Sequence, residues 1–454
     1  MEEMENGVYY LSLHAFSDAP EGTAGQGLDC EERSWVLVEV GVAFDSQEIR
    51  FDEHSRRKQN HALRTRRDVM TTKVYDAIIV GAGSVGLPAA FFLAQAGLKP
   101  LVIDQFASPG QGSNKAAIGG IRATHSAPSK IRLCIESIEV FSTWKETYGD
   151  NIEWYQGGYS FVAYRERDER ILKDLLKIQQ SYGLDIRWLE RDDLLEVIPD
   201  LNREGLIGGT YSPGDGSASP LLTAHAFYTR ARERGAEFRF RERVTGIIRR
   251  RGRVVGIRTD QGGYATSTVI NAAGPWARAV ARMSGLDVPV VPDSHEAGIT
   301  EPVARFLEPM VVDIRPAEGS KNYYFYQHGP GPIVFCITPE PPIVGTDRRE
   351  TAVFLPMIAR RMVDLMPKLT NVKVRRTWRG LYPMTPDGFP IVGRARELEG
   401  YIYAVGMCGQ GYMLGPGVGA LLARMVREAL SPEDEKVLEE LSPYREFGGE
   451  EKLK

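Results

Sequence analysis

The sequence predicts a mixed α/β chain in two interleaved parts, a parallel sheet flanked by helices with an antiparallel sheet inserted into it. Three stretches predict this. Residues 75–80, a short apolar run rich in β-branched side chains, lead into Gly81-Ala82-Gly83-Ser84-Val85-Gly86, then into the Ala-, Leu- and Phe-rich residues 87–97, and then into Leu101-Val102-Ile103, closed by Asp104. Strand, glycine turn, helix and second strand in that order make one unit of an open parallel sheet. From Phe238 to Ile270 the pattern changes to period two, and alternating or aromatic runs return at 295–300, 323–327 and 333–337, as an antiparallel sheet requires. Residues 401–406 are again a strand, followed by the glycine-rich stretch 407–413 and an apolar helix to about Leu430.

In the first unit each glycine has its own task. Gly81 permits the tight turn, Gly83 lets backbone approach a pyrophosphate, and Gly86 lets the helix pack on the strand. The helix N-terminus adds unpaired N–H groups and the positive end of its dipole. Asp104 can hold a ribose hydroxyl pair. With strands, helix and acid all present, these residues read as a dinucleotide site rather than a structural glycine turn.

The bulk composition narrows the partners. At 454 residues the chain has room for two domains, and 43% hydrophobic with 26% charged residues is the balance of a soluble globular protein. A net charge of −4 gives no reason to expect nucleic acid. No apolar run is long enough to span a membrane, and no signal-peptide core is visible. Cys30, Cys134, Cys336 and Cys408 are scattered without a CxxC pair, which suggests no metal site and no disulfide framework. A reducing, cytoplasmic setting is the expectation.

Taken in order, residues 1–72 differ from the rest. They mix acidic, glycine-containing and basic pieces, and read as a disordered leader or a start set too far upstream, with Met70 the true start; a small appendage is the alternative. Residues 105–122 are a Gly/Ser-rich loop, mobile or wrapped around a ligand. Residues 130–148 read as a helix whose Ile131, Ile135, Ile138 and Phe141 form a core stripe. A strand at 159–164, helices at 166–182 and 194–199, and a helix begun by Ser219 as N-cap and Pro220 as first residue follow. The strand ending at Ile270 runs into Asn271-Ala272-Ala273-Gly274-Pro275-Trp276, bare backbone at the carboxyl edge of a sheet, where open α/β sheets place ligands. Residues 351–366 read as a helix and 372–382 as a strand. The tail after Ser431 is charged and expected to fray.

With these motifs on the page, the chain from Lys73 to about Leu430 resembles the FAD-dependent D-amino-acid oxidase superfamily, nearest to its sarcosine oxidase and dye-linked L-proline dehydrogenase β-subunit group. The likeness is carried by Gly81 to Gly86 with Asp104, by Gly112-Ser113 through Gly120-Ile121-Arg122, by 269–276, by Thr385-Pro386-Asp387-Gly388-Phe389-Pro390-Ile391-Val392-Gly393, and by 406–413. It implies a Rossmann-like FAD-binding domain (73–158, 219–290 and 376–430) with an inserted antiparallel-sheet substrate domain (159–218 and 291–375), a leader at 1–72 and a tail at 431–454.

The resemblance also implies roles. Gly81, Ala82, Gly83, Ser84, Val85 and Gly86 would cradle the FAD pyrophosphate, and Asp104 with Gln105 would meet the adenosine ribose. Ser113 and Asn114 would approach the phosphates and ribityl chain, Val244 the adenine, and Gly274 and Trp276 the cofactor. Gly409, Gln410, Gly411, Tyr412 and Met413 would place N–H groups near the flavin ring, where negative charge collects on reduction. Arg122 stands where sarcosine oxidases bind the substrate carboxylate, a task suited to its planar fork; a surface or phosphate-side arginine is the alternative. Tyr382 matches a tyrosine that faces the flavin, with an ordinary buried tyrosine as the alternative. Tyr324, Tyr326 and His328 are candidates for the pocket wall, each also readable as structural.

Departures from the group bear on chemistry. Gly380 replaces the cysteine that links FAD covalently in monomeric sarcosine oxidases, so the FAD is expected to be non-covalent. Met413 replaces a second carboxylate-binding lysine, and residues 333–337 lack the lysine that promotes reaction with oxygen. The expectation is therefore an FAD-dependent dehydrogenase moving a hydride from the α carbon of a small amino or imino acid, of the proline, sarcosine or glycine type. The rivals are an FAD-binding subunit of a larger dehydrogenase with partner subunits or a separate electron acceptor, a nicotinamide-dependent dehydrogenase, and oxidation of a hydroxy acid or glycerol phosphate.

Overall fold

The computed structural model describes residues 70–449 and 451–453. The expectations for the leader fall on residues 1–69 and lie outside them, apart from its last three positions. Those begin the fold: Met70–Tyr75 is a strand of its own, parallel to Gly263–Thr266 at the side of a four-stranded sheet with Arg253–Thr259 and Val244–Arg250. The fingerprint strand is the separate Ala77–Val80, so the expected single run from Tyr75 breaks at Asp76.

Six strands form the nucleotide-binding sheet, in the order Ile391–Arg394, Tyr401–Val405, Val269–Asn271, Ala77–Val80, Pro100–Asp104, Glu237–Phe240. All neighbours run parallel except the antiparallel edge strand Ile391–Arg394. Its central strands are buried on both faces, which explains their unbroken apolar runs. The helix Gly86–Gln95 covers one face, and the helix Gly411–Val426 packs on it. A Cβ at Gly415 would fall inside the van der Waals envelope of the Ser84 carbonyl, so only glycine lets the late helix touch the fingerprint backbone.

The second large sheet has eight strands, Val374–Met384, Val291–Thr300, Ile333–Pro339, Ser320–Gln327, Met310–Asp313, Tyr159–Ala163, Gly208–Ser212 and Arg187–Glu190. One neighbouring pair, Met310–Asp313 with Tyr159–Ala163, is parallel; the other pairs are antiparallel. Two short strands, Gly120–Ile121 and Gly216–Ser217, pair between the sheets and carry the chain into Arg122.

The tail corrects the expected fraying. Pro432–Glu440 is a helix with a capping box between Ser431 and Asp434. Beyond it Glu451 and Leu453 are each 2% exposed. Among the described residues no helix is long and apolar enough to cross a membrane, and no cluster of His, Cys, Asp and Glu is placed to hold a metal.

Candidate cofactor and substrate site

One continuous cavity of about 810 Å³ joins the fingerprint to the late glycine cluster. Gly81, Gly83, Ser84, Val85, Asp104, Gln105, Ser113, Asn114, Val244, Gly274 and Trp276 line it toward one end, and Gly380, Gly409, Gln410, Gly411, Tyr412 and Met413 toward the other. Two helix N-termini serve it. Neither Gly86–Gln95 nor Gly411–Val426 has a side-chain cap or an acidic residue in its first turn, which leaves both dipole ends open to an anion. Gly81 turns at φ +110° and Gly409 at φ +81°, conformations that side chains resist. A Cβ at Gly409 would enter the Tyr382 ring.

The fingerprint residues divide by what they touch. Gly83 lines the cavity, and a Cβ there would meet no protein atom within 4 Å, so it would point into cofactor space. Gly86 does not line the cavity; a Cβ would overlap the Gly81 carbonyl and crowd Ile79, so its task is helix–strand packing. Ala82 is the correction: its N–H donates to Asp104 Oδ2 at 2.7 Å and is not free for a phosphate. With Phe106 N–H on Oδ1 at 2.8 Å, Asp104 is locked in orientation and keeps lone pairs for ribose hydroxyls. Burial raises its pKa, against the pull of those two N–H groups. Asn114 has both side-chain ends engaged, accepting from Ser84 Oγ and donating to the Pro220 carbonyl, so it ties the loop down. The free lone pairs of Asp104, the open helix ends and the bare glycines fit a bound dinucleotide. Gly380 offers no side chain for a covalent link, and a Cβ there would press on Ala116.

The far end of the cavity is the substrate end. Arg122, Tyr159, Phe161, Val312, Tyr324, Cys336, His295, Asp293 and Tyr382 line it. Arg122 is 6% exposed and lies 5.3 Å over the Phe161 ring. It donates through Nη1 to the Thr124 carbonyl and through Nη2 to the Leu453 carbonyl, and Nη1 lies 3.2 Å from His125 Nδ1. A guanidinium has five N–H donors, so these contacts leave Nε–H and one Nη2–H for a carboxylate. Tyr324 and Tyr382 join hydroxyls at 3.0 Å, and burial holds both phenols well above their ordinary pKa, hence neutral. His295 stacks on Tyr382 with ring centres 3.7 Å apart. Its Nε2 lies 3.5 Å from Asp293 Oδ1, and its buried Nδ1 has no hydrogen-bond partner.

Of the other pocket candidates, Tyr326 does not line the cavity; its hydroxyl donates to the Ile118 carbonyl. His328 pairs with Glu153 at 3.5 Å, away from the cavity lining. Both are structural here. Sequence reasoning missed His295, Asp293 and Cys336, whose only signal is an alternating strand. It also missed the buried ionic group behind Arg122. There Lys130 and Glu451 are paired at 2.7 Å, each side chain 0% exposed, and Ser126 donates to Glu451. Burial alone would raise the Glu451 carboxyl; the Lys130 ammonium, with hydrogen bonds from Lys130 and Ser126, overcomes it and holds the group well below the usual carboxylate range. Burial pushes His125 down, so it stays neutral between Arg122 and Lys130.

Asp215 sits in the same layer, accepting from Ala123 N–H at 2.8 Å, and burial raises its pKa to about 6 against the pull of Ala123 and Arg122. A carboxyl that keeps its proton longer when folded than unfolded adds stability at low pH, and that contribution is lost as pH rises through about 6. Asp215→Asn should therefore melt higher than the unaltered chain at pH 8 and show a smaller gain at pH 4, read by thermal melts across pH. Equal differences at both would contradict the assignment.

A six-stranded sheet, parallel but for one edge strand, with an open glycine turn, a second sheet at the substrate end, and one cavity lined from both define a two-domain flavoprotein-like oxidoreductase site. The comparisons agree. The family model for FAD dependent oxidoreductases matches residues 76–425, and the chain belongs to that family. It is 26% identical over 405 residues to the hydrogen cyanide synthase subunit HcnC of Pseudomonas aeruginosa, covering 80% of this chain and 94% of that protein. Rat dimethylglycine dehydrogenase is 27% identical over 393 residues, 82% of this chain and 44% of that enzyme. The L-proline dehydrogenase structure from P. horikoshii superposes with a TM-score of 0.77 at 29% identity, covering 83% of this chain and 98% of that one. FAD is the family's cofactor, and the chain is an FAD-dependent oxidoreductase by that membership.

Proposed function

We propose that the protein is a dehydrogenase of a small amino or imino acid of the proline, sarcosine or glycine type. The observation that carries this is Arg122, buried in the lining of a cavity that Phe161, Val312, Ile118 and Cys336 also line. Bound FAD would supply the hydride acceptor. The chain's residues do the rest. Arg122 Nε and Nη2 would take the carboxylate in a dry site. The apolar walls exclude water and suit a short or cyclic aliphatic substrate. The unpartnered His295 Nδ1, backed by Asp293, would accept the proton that the substrate ammonium must lose. Tyr324 and Tyr382, both neutral, would orient the amine by hydrogen bonds.

Two features support a dehydrogenase rather than an oxidase. The strand Ile333–Pro339 carries no lysine, and dehydrogenases stand among the relatives, alongside glycine oxidases. The name of HcnC supports the second reading, that the chain works within an assembly with its electron acceptor on a partner. A cytoplasmic setting belongs to the same proposal. The test is anaerobic mixing of the FAD-loaded protein with single amino acids, following the visible flavin band. Proline, sarcosine or glycine should bleach it. Bleaching only by a hydroxy acid or glycerol phosphate would contradict the reading.

A further inference from the structure

The turn after the strand Tyr401–Val405 passes through left-handed backbone at Gly406 (φ +69°), Cys408 (φ +49°) and Gly409 (φ +81°). Glycine takes such angles freely, and a residue with a Cβ resists them. Cys408 is the non-glycine of the three. It is buried, and with Gly406, Met407 and Gly409 it lines the cavity. Its thiol donates to the Gly406 carbonyl at 3.0 Å and accepts from Thr385 N–H at 3.4 Å, with the Thr385 hydroxyl 3.2 Å away. Its own N–H donates to the Pro383 carbonyl at 3.1 Å.

These partners come from two sheets. Gly406 follows a strand of the six-stranded sheet, whereas Pro383 lies in Val374–Met384, the edge strand of the eight-stranded sheet, directly after Tyr382. Thr385 follows that strand and is fixed in turn. Its hydroxyl donates to the Phe389 carbonyl at 2.8 Å, which also accepts from Arg445. Turn and strand end are in close contact here: a Cβ at Gly406 would strike the Thr385 methyl, and one at Gly409 would enter the Tyr382 ring. The helix Gly411–Val426 starts two residues beyond Gly409, without a side-chain cap, and its first residues line the cavity. An open helix N-terminus favours negative charge. It does so most where its N–H groups are held in place before the charge develops.

We propose that Cys408 is a positioning residue for the redox change of the cofactor. Its thiol clamps the late glycine turn to the end of the Tyr382 strand, and so holds the start of Gly411–Val426 in register for the negative charge that FAD gains on reduction. A glycine at this position would adopt the backbone more easily and keep the N–H bond to Pro383, but it would lose every bond of the sulfur. The inference rests on FAD as the cofactor and not on the amino acid proposed above as substrate.

Three variants test it, Cys408→Ala, Cys408→Gly and Cys408→Ser. The readout is the midpoint potential of the bound flavin, from dithionite titration against a reference dye, with melts of the cofactor-free chains as the check on folding. In Cys408→Ala and Cys408→Gly the potential should fall by about 30 mV or more, a tenfold loss of preference for the reduced over the oxidised form in a two-electron couple. The hydroxyl of Cys408→Ser can still donate to the Gly406 carbonyl and accept from Thr385 N–H, so that variant should stay within about threefold, ~15 mV. All three should melt cooperatively. An unaltered potential in Cys408→Ala or Cys408→Gly, a fall in Cys408→Ser as large as in Cys408→Ala, or a Cys408→Gly chain that does not fold would overturn the assignment. The titration uses no amino acid, so the clamp and the proposed substrate can fail separately.

Discussion

An Arg122→Ala chain should keep its yellow colour and lose its hold on amino acids. The residue lies at the far end of the cavity from the fingerprint, and its contacts are the Thr124 and Leu453 carbonyls, His125 and the Phe161 ring. None of these is a fingerprint residue. Removing a buried charged partner costs on the order of 3 kcal/mol, about a hundredfold in KM. Arg122→Lys should fall between, because the ammonium keeps the charge and loses the planar fork. The check is steady-state kinetics beside the flavin spectrum. An unchanged KM in both variants would remove Arg122 from the substrate site and leave it as a strut for Leu453.

Gly83→Val should be the complementary case, a chain that folds and stays colourless. A Cβ at Gly83 meets no protein atom within 4 Å and would project into the cavity. The side chain therefore clashes with nothing until a pyrophosphate arrives. Gly86→Val should behave otherwise, because its Cβ overlaps the Gly81 carbonyl beside the central strand. Overpacking of that kind costs about 1–3 kcal/mol or more, so Gly86→Val should melt lower with or without cofactor. Gly214→Ala, where a Cβ meets open space, is the control. FAD binding by equilibrium dialysis, with melts of the cofactor-free chains, separates the three. Tight FAD binding by Gly83→Val would contradict the placement of the pyrophosphate.

These contrasts show where the sequence was sufficient. The fingerprint was legible because strand, turn, helix and acid are local and each position has one physical reason. Arg122 and Tyr382 were legible through motifs, and the structure brings both to one cavity with Tyr324. Ala82 misled because the motif gives its position and not its hydrogen bond; its N–H goes to Asp104, which local spacing does not reveal. His295 carried no signal beyond alternation, since a histidine on a strand acquires meaning only from Tyr382 on the neighbouring strand, together with Asp293 two residues earlier on its own. Met310–Asp313 and Gly208–Ser212 were unread because short strands between loops lack a period long enough to recognise. The tail was misread most. Gly-Gly and alternating charges read as a solvated end, while the burial of Glu451 comes from a lysine 321 residues away and that of Leu453 from strands of the other sheet.

One non-covalent FAD, lying between the two glycine-rich turns, is what the proposed chemistry requires. Acid precipitation of the purified chain tests this directly. The supernatant should hold one FAD per chain and the pellet should be white. A pellet that stays yellow, or a chain that never takes up FAD when refolded or incubated with it, would contradict the account at its centre.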